Sequence, residues 1–217
     1  MPIRDKIIIA LDGPAASGKG TLARKLAAHF NLALLDTGAL YRAVGSNVLK
    51  AGGNPENEQD ALKAIGLLAK TDLSDPDLRG ESTGAAASKV ASFPSVREKL
   101  VDFQRNFATN PPESKEGSIL DGRDIGTVIC PDAPFKIFIT ADVETRAKRR
   151  FIEEYGENGN DENYQTVLSE LKARDERDTN RLTSPLKPHK NAHLLDTTNS
   201  DIEAVFEAAR AYVSNTE

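Results

Sequence analysis

The stretch Ile7-Ile8-Ile9-Ala10-Leu11-Asp12-Gly13-Pro14-Ala15-Ala16-Ser17-Gly18-Lys19-Gly20-Thr21 decides the fold. Five apolar residues of strand character run into a turn bounded by glycines. Lys19 then opens a segment of helical period with Leu22, Leu26 and Phe30 on one side. A strand, a Gly-x-x-x-x-Gly-Lys turn and a helix, in that order, make a phosphate-binding loop. Its glycines let successive backbone N–H groups turn inward as an anion nest. The helix N-terminus adds positive potential, and the lysine supplies a point charge to the β- and γ-phosphates. Gly13, Pro14, Ala15, Ala16, Ser17, Gly18, Lys19, Gly20 and Thr21 are therefore expected to hold a nucleoside triphosphate.

One residue departs from the usual pattern. The hydroxyl that normally follows the lysine directly is replaced by Gly20 and comes one place later, at Thr21. The loop is not expected to ligate Mg2+ itself, so the ion would be held largely by water and phosphate oxygens, and no residue of the chain is assigned as a metal ligand.

Outward from the loop, short apolar runs alternate with longer segments of helical period. Strands are predicted over 7–11, 32–35, 118–120, 135–140 and 193–195. Helices are predicted at about 19–30, 39–51, 61–71, 83–92, 95–108, 143–155, 164–175 or beyond, and 202–213. Strands joined by helix-length connections imply an α/β fold, a doubly wound, mostly parallel sheet of about five strands covered on both faces. Residues 71–80 and 110–112 read as connectors, and 156–161 as a mobile loop between two charged helices. Val96, Leu100, Phe103 and Phe107 read as a core stripe, and His29, His189 and His193 as structural, since they lack ligand spacing.

Composition narrows the function. With 217 residues, 39% hydrophobic and 28% charged, the chain suits one well-packed α/β domain with small appended segments. A formal net charge of -5 argues against non-specific binding of nucleic acid or anionic lipid, and the absence of Trp against a stacking platform for single strands. Cys130 is the lone cysteine, which excludes an internal disulfide and a cysteine-based zinc site; its plain reading is a small buried hydrophobe. With no signal or membrane-spanning pattern, a cytoplasmic monomer acting on small molecules is expected.

A phosphate-binding loop is shared by GTPases, motor ATPases and small-molecule kinases, so the rest of the chain must choose. Asp36-Thr37-Gly38-Ala39-Leu40-Tyr41-Arg42 is a strand-end turn leading into a helix, and Arg42 could clamp a phosphate bidentately. Asp121, Arg123 and Asp124 crowd the end of the third strand, where buried charges are costly unless they contact ligand, metal or one another. If 174–181 is helical, Arg174, Arg177, Asp178 and Arg181 share one face, three guanidinium groups around a carboxylate. Arg146, Arg149 and Arg150 repeat the spacing upstream. Two arginine-bearing segments bracketing a loop suggest a lid that closes over transferring phosphates.

At this point the residues resemble the bacterial cytidylate kinases. The resemblance rests on the 13–21 loop, Asp36-Thr37-Gly38 with Tyr41-Arg42, Ala87-Ser88-Lys89-Val90-Ala91-Ser92-Phe93-Pro94 with Val96-Arg97, residues 120–127 running to Pro131-Asp132-Ala133, and residues 174–181. It implies ATP and Mg2+ as co-substrate and cofactor, and CMP or dCMP as acceptor. It further implies an acceptor phosphate held by Thr37, Arg42, Arg123 and Arg181, a cytosine met by Ser88, Arg97 and Asp124, and a ribose contacted by Arg174 and Asp178, with Asp121 also on the substrate side. Lys19 and the lid arginines Arg146, Arg150 and Arg177, with Arg123 and Arg181, would neutralise the transferring phosphoryl group. The implied layout is a core of about 1–35, 115–145 and 190–217, an acceptor-binding insert of about 36–114 and a lid of about 146–182. Residues 73–84 depart from the family, lacking strand-like residues that many relatives carry there. Rival readings are a kinase for UMP, another monophosphate or a metabolite such as shikimate, and a nucleotide-dependent binding module. The lack of a guanine-reading Asn-Lys-x-Asp segment counts against a GTPase switch.

Overall fold

The structure, a computed structural model, describes residues 7–73 and 75–215. Contacts divide the chain into two compact units, one of residues 1–35 with 108–217 and one of residues 36–107.

The first unit carries a five-stranded sheet: β1 (Ile7–Asp12), β2 (Leu32–Asp36), β3 (Gly117–Gly122), β4 (Phe135–Thr140) and β5 (His193–Asp196), in the order β2-β3-β1-β4-β5. The ladders of β1 with β3, β1 with β4 and β4 with β5 are parallel, with Asp12 opposite Gly122 on one side and Phe138 on the other. The central position explains the composition of β1: Ile9, Ala10 and Leu11 are buried completely, as expected of a strand covered on both faces. The edge strand β5 alternates instead. Leu195 packs on the core while Leu194 is 62% exposed.

Helices α1 (Lys19–His29) and α8 (Ile202–Ser214) bring Leu22, Leu26, Val205, Ala209 and Val213 into the same cluster as Ile9, Leu11, Ile119, Ile137 and Ile139. Each large aliphatic side chain buried there contributes about 1.5–3 kcal/mol. His29 lies edge-on to Phe30 and Phe206, His193 stacks on Tyr212 at 4.6 Å, and His189 Nδ1 accepts from the Asn191 amide. Cys130 is only partly buried, at the end of a π-helical turn (Ile125–Ile129), rather than a fully enclosed hydrophobe.

Two helices complete this unit, α6 (Val143–Tyr155) and α7 (Asp161–Asn180), with Ala147, Val167 and Leu171 buried together beside Ala15. The link between them is built rather than loose. A 3-10 turn (Gly156–Asn158) follows α6, and Asn160 then closes a capping box with Asn163 at the start of α7. Phe151 packs against Tyr155 and Tyr164, and a Cβ on Gly159 would fall 2.2 Å from the Phe151 ring.

The second unit is helical: α2 (Thr37–Lys50), α3 (Glu58–Ile65), α4 (Glu81–Val90) and α5 (Pro94–Thr109), with 3-10 turns at Leu68–Lys70 and Pro76–Arg79. Its core is Leu40, Tyr41, Val44, Val48, Ala61, Ala64, Ala87, Val90, Val96 and Leu100. The stripe expected on α5 is correct at Val96 and Leu100 but not at Phe103, which is 50% exposed. Four residues on from Leu100, Gln104 takes the inward position and donates from Nε2 to the Leu100 carbonyl, because 3.6 residues per turn rotate position 103 outward. The shortened stretch at 73–84 forms the second 3-10 turn and the start of α4, with residue 74 outside the described residues.

Candidate functional site

The loop after β1 has the backbone of an anion nest. Ala16 takes φ 58°, and Gly18, the N-cap of α1, takes φ 92°. Gly13, at φ 151°, admits no side chain: a Cβ would sit 2.0 Å from the Ile139 carbonyl oxygen on β4. Ser17 Oγ donates to the Pro14 carbonyl at 3.0 Å, and Lys19 Nζ donates to the same oxygen at 2.7 Å. Lys19 is 6% exposed. Burial lowers its ammonium to about 7, with the Arg123 charge adding to the effect and Asp121 opposing it. Thr21, by contrast, is exposed and accepts a hydrogen bond from Arg24.

Asp121 lies beside the position vacated by the missing hydroxyl: a Cβ on Gly20 would fall 3.6 Å from its Oδ2. The end of β1 carries a second carboxylate. Asp12 is 5% exposed and accepts from the Ile125 amide at 2.8 Å and the Gly126 amide at 2.7 Å. Burial pushes Asp12 up to about 7, and nearby Asp124 adds to the rise. The two amides and Lys19 pull the other way.

The arginine cluster predicted from the sequence forms with two changes: Arg123, rather than the exposed Arg177, is the third guanidinium at Asp178, and Arg181 stands at the helix end. Helix α7 ends at Asn180, so Arg181 is its C-cap rather than a helical residue. Asp178 is 4% exposed and receives Arg123 Nε at 3.1 Å, with Arg181 NH1 at 4.0 Å. Burial would raise its carboxyl, but Arg123, Arg174 and Arg181 outweigh that and hold it below the usual carboxylate range. Arg123 also donates to the Gly122 carbonyl, and Arg181 to Ser184. A carboxylate fixed among guanidinium groups orients them while their charge stays concentrated, which is the arrangement an anionic ligand needs.

The upstream arginines separate. Arg146 is 5% exposed and spans three segments, donating to the carbonyls of Ala141 at 2.9 Å and Ala15 at 3.3 Å and pairing with Asp175 at 2.6 Å. It therefore ties α6 and α7 to the phosphate loop. Arg150 pairs along its own helix with Glu153 and Glu154, and Arg177 is exposed. Arg149, given no role from the sequence beyond its spacing, donates to Thr197 Oγ1 at 2.9 Å and to the Thr197 carbonyl at 2.5 Å.

That pair borders a cleft of about 320 Å³ lined by Ser17, Gly18, Thr21, Arg149, Thr197, Ile202 and Val205. Sequence reasoning missed its far wall. The available signal was Asp196-Thr197-Thr198-Asn199-Ser200, a run of hydroxyls between a strand end and a helix. Thr197 Oγ1 also donates toward the Ser17 and Thr140 carbonyls, at 3.1 and 3.2 Å.

In the second unit, Asp36 rather than Thr37 caps α2, accepting from the Ala39 amide at 3.2 Å; Thr37 is the first helical residue and is buried. Arg42 turns back onto Asp36 at 2.6 Å, so it is held rather than solvated. Ser88 and Arg97 are both buried, and Arg97 donates to the Ala91 carbonyl and lies 5.4 Å from the Tyr41 ring centre.

A parallel sheet with this loop at the end of its central strand, facing buried arginines, defines a phosphotransferase of the P-loop class. The cytidylate kinase family model matches residues 9–215. The chain is 51% identical over 208 residues to a cytidylate kinase of Paramagnetospirillum magneticum, covering 96% of this chain and 98% of that protein. It is 52% identical over 209 residues to one of Methylocella silvestris, covering 96% and 94%. A solved structure of an uncharacterized protein from Eubacterium ventriosum superposes with a TM-score of 0.53 at 18% identity, over 97% of this chain and 99% of that one, a likeness of fold alone. The chain belongs to the cytidylate kinase family.

Proposed function

We propose that the protein transfers the γ-phosphate of ATP to CMP or dCMP, giving ADP and CDP or dCDP, and that it does so in the cytoplasm. The match to the cytidylate kinase family over residues 9–215 carries this reading. Among the described residues no helix is long and apolar enough to cross a membrane, which agrees with an enzyme working on soluble nucleotides.

The acceptor's own phosphate oxygen is the nucleophile. It is already ionised near neutral pH, so no catalytic base is required. It bonds to the γ-phosphorus as the bond to the bridging β,γ-oxygen breaks, and the electron pair leaves with ADP. Catalysis is then positioning and charge neutralisation, by the loop amides, Lys19, Arg123 and Arg181. The cleft beside Arg149 and Thr197 would take the base and ribose of ATP. Arg146 would serve by holding the loop at Ala15, and Arg150 and Arg177 would have to leave the positions they take here to reach a transferring phosphate.

A Mg2+ ion arriving with the triphosphate fits this site. Asp121 faces the loop at Gly20, where a Cβ would fall 3.6 Å from its Oδ2, and would be the carboxylate nearest such an ion. Its remaining ligands would be water and phosphate oxygens, and it would neutralise charge on the β- and γ-phosphates.

On the acceptor side, we assign Thr37, Arg42, Arg123 and Arg181 to the phosphate, Ser88, Arg97 and Asp124 to the base, and Arg174 and Asp178 to the ribose. A carboxylate accepts from the exocyclic amine of cytosine, while a hydroxyl and a guanidinium donate to its O2 and N3; uracil reverses the pattern at its 4-carbonyl and N3–H. ADP formation measured against CMP, dCMP, UMP, AMP, GMP and shikimate, with and without Mg2+, tests the reading. CMP and dCMP should give the highest kcat/KM, and a higher value for any other acceptor overturns it.

A further inference from the structure

We propose that Asp12 is a positioning residue for acceptor recognition, holding the amides of Ile125 and Gly126 so that the turn carrying Arg123 and Asp124 is fixed to the end of the phosphate-loop strand. The proposal rests on the base-reading role given to Asp124 above.

Three observations carry it. Asp12 is buried, and both of its carboxylate oxygens are used, one by each of two successive backbone N–H groups 113 and 114 residues away in sequence. The β1–β3 register places Asp12 opposite Gly122, the residue just before Arg123. Asp124 itself stands at φ −142°, ψ 22°, immediately before the π-helical turn those amides begin, so its backbone is set by how that turn is anchored. An ionised carboxylate is the one side chain of this length that accepts on both oxygens. Asparagine would present an N–H to an N–H, and one amide would be left buried without a partner.

Asp12 also directly precedes Gly13. The same residue therefore ends the donor-loop strand and holds the acceptor turn. Its effect should fall mainly on acceptor choice, because its hydrogen bonds go to the acceptor turn, while it touches the triphosphate site only through the charge that it shares with Lys19.

The test compares Asp12→Asn with wild type and Asp124→Ala, by equilibrium binding of CMP, UMP and a non-hydrolysable ATP analogue together with thermal melting. Asp12→Asn is expected to lower the CMP:UMP affinity ratio about tenfold while the ATP analogue binds within threefold of wild type. A merely structural role would weaken all three ligands alike or lower Tm alone. An unchanged CMP:UMP ratio, or equal loss for CMP and the ATP analogue, overturns the proposal. If Asp124→Ala leaves the ratio intact, the base-reading role fails and the proposal falls with it; if Asp124→Ala collapses the ratio and Asp12→Asn does not, only the role of Asp12 fails. Should Asp12→Asn not fold, Gly126→Ala replaces it. The new Cβ would meet Asp12 Oδ2 at 3.4 Å, the edge of ordinary contact, beside the bond that the amide of the same residue donates. A roughly threefold fall in the ratio with the ATP analogue unaffected supports the proposal, and no change overturns it.

Discussion

Arg149 on α6 and Thr197 after β5 are joined twice, through the threonine hydroxyl at 2.9 Å and its carbonyl at 2.5 Å. The hydroxyl reaches on to the Ser17 carbonyl, so the arginine, the strand end and the phosphate loop form one connected rim around the cleft. Thr197→Val keeps the shape and removes the hydroxyl. Steady-state kinetics should show KM for ATP raised about fivefold, the equivalent of about 1 kcal/mol, with KM for CMP unaltered. Equal increases for both substrates would separate this rim from donor binding.

Lys19 and Asp12 are both drawn to about 7, from opposite directions. The raised value of Asp12 means that its contribution to stability is complete below about pH 3.8 and is lost as pH rises through about 7. The lowered value of Lys19 means that its contribution is complete above about pH 10.5 and is lost as pH falls through about 7. Both losses meet at neutral pH, where two desolvated charges are kept for function. Lys19→Met should therefore melt no lower than wild type at pH 7 while phosphoryl transfer drops by at least about 10³-fold. A Tm several degrees below wild type in that variant would make Lys19 a structural support instead.

Asp178 has the reverse linkage. Its carboxyl, held low by three arginines, contributes stability above the ordinary value of 3.8, and that contribution is lost as pH falls through its lower folded value. Asp178→Asn leaves buried guanidinium charge unpaired, at a cost of about 3–5 kcal/mol. For a chain of this size that corresponds to a Tm lower by roughly 10 °C at pH 7. Melting curves between pH 7 and pH 3 should converge as acid removes the advantage of the wild type, and a gap that stays constant across the range would contradict the linkage.

Much of this molecule was legible because its signals were local. Each of the five strands was placed within two residues at either end, since an apolar run bounded by polar or glycine residues has few alternatives. The phosphate loop was legible from spacing alone; the arginine face was legible at Arg174 and Asp178, but Arg177 is exposed, Arg123 from the end of β3 takes its place, and the helix releases Arg181 at its C-cap. What escaped depended on distant partners. Nothing near Asp12 in the sequence reveals that two amides more than a hundred residues away will use it, and nothing near Arg149 points to Thr197. Phe103 was misassigned because period alone cannot tell which of two adjacent positions, 103 or 104, turns inward.

The tight join between α6 and α7 depends on a single glycine. With Phe151 filling the space over Gly159 and Asn160 clamping the next helix start, the two helices resemble a bent lever with a welded elbow. A residue larger than glycine at 159 would have to displace the Phe151 ring, so the whole join between the two arginine-bearing helices hangs on one missing side chain.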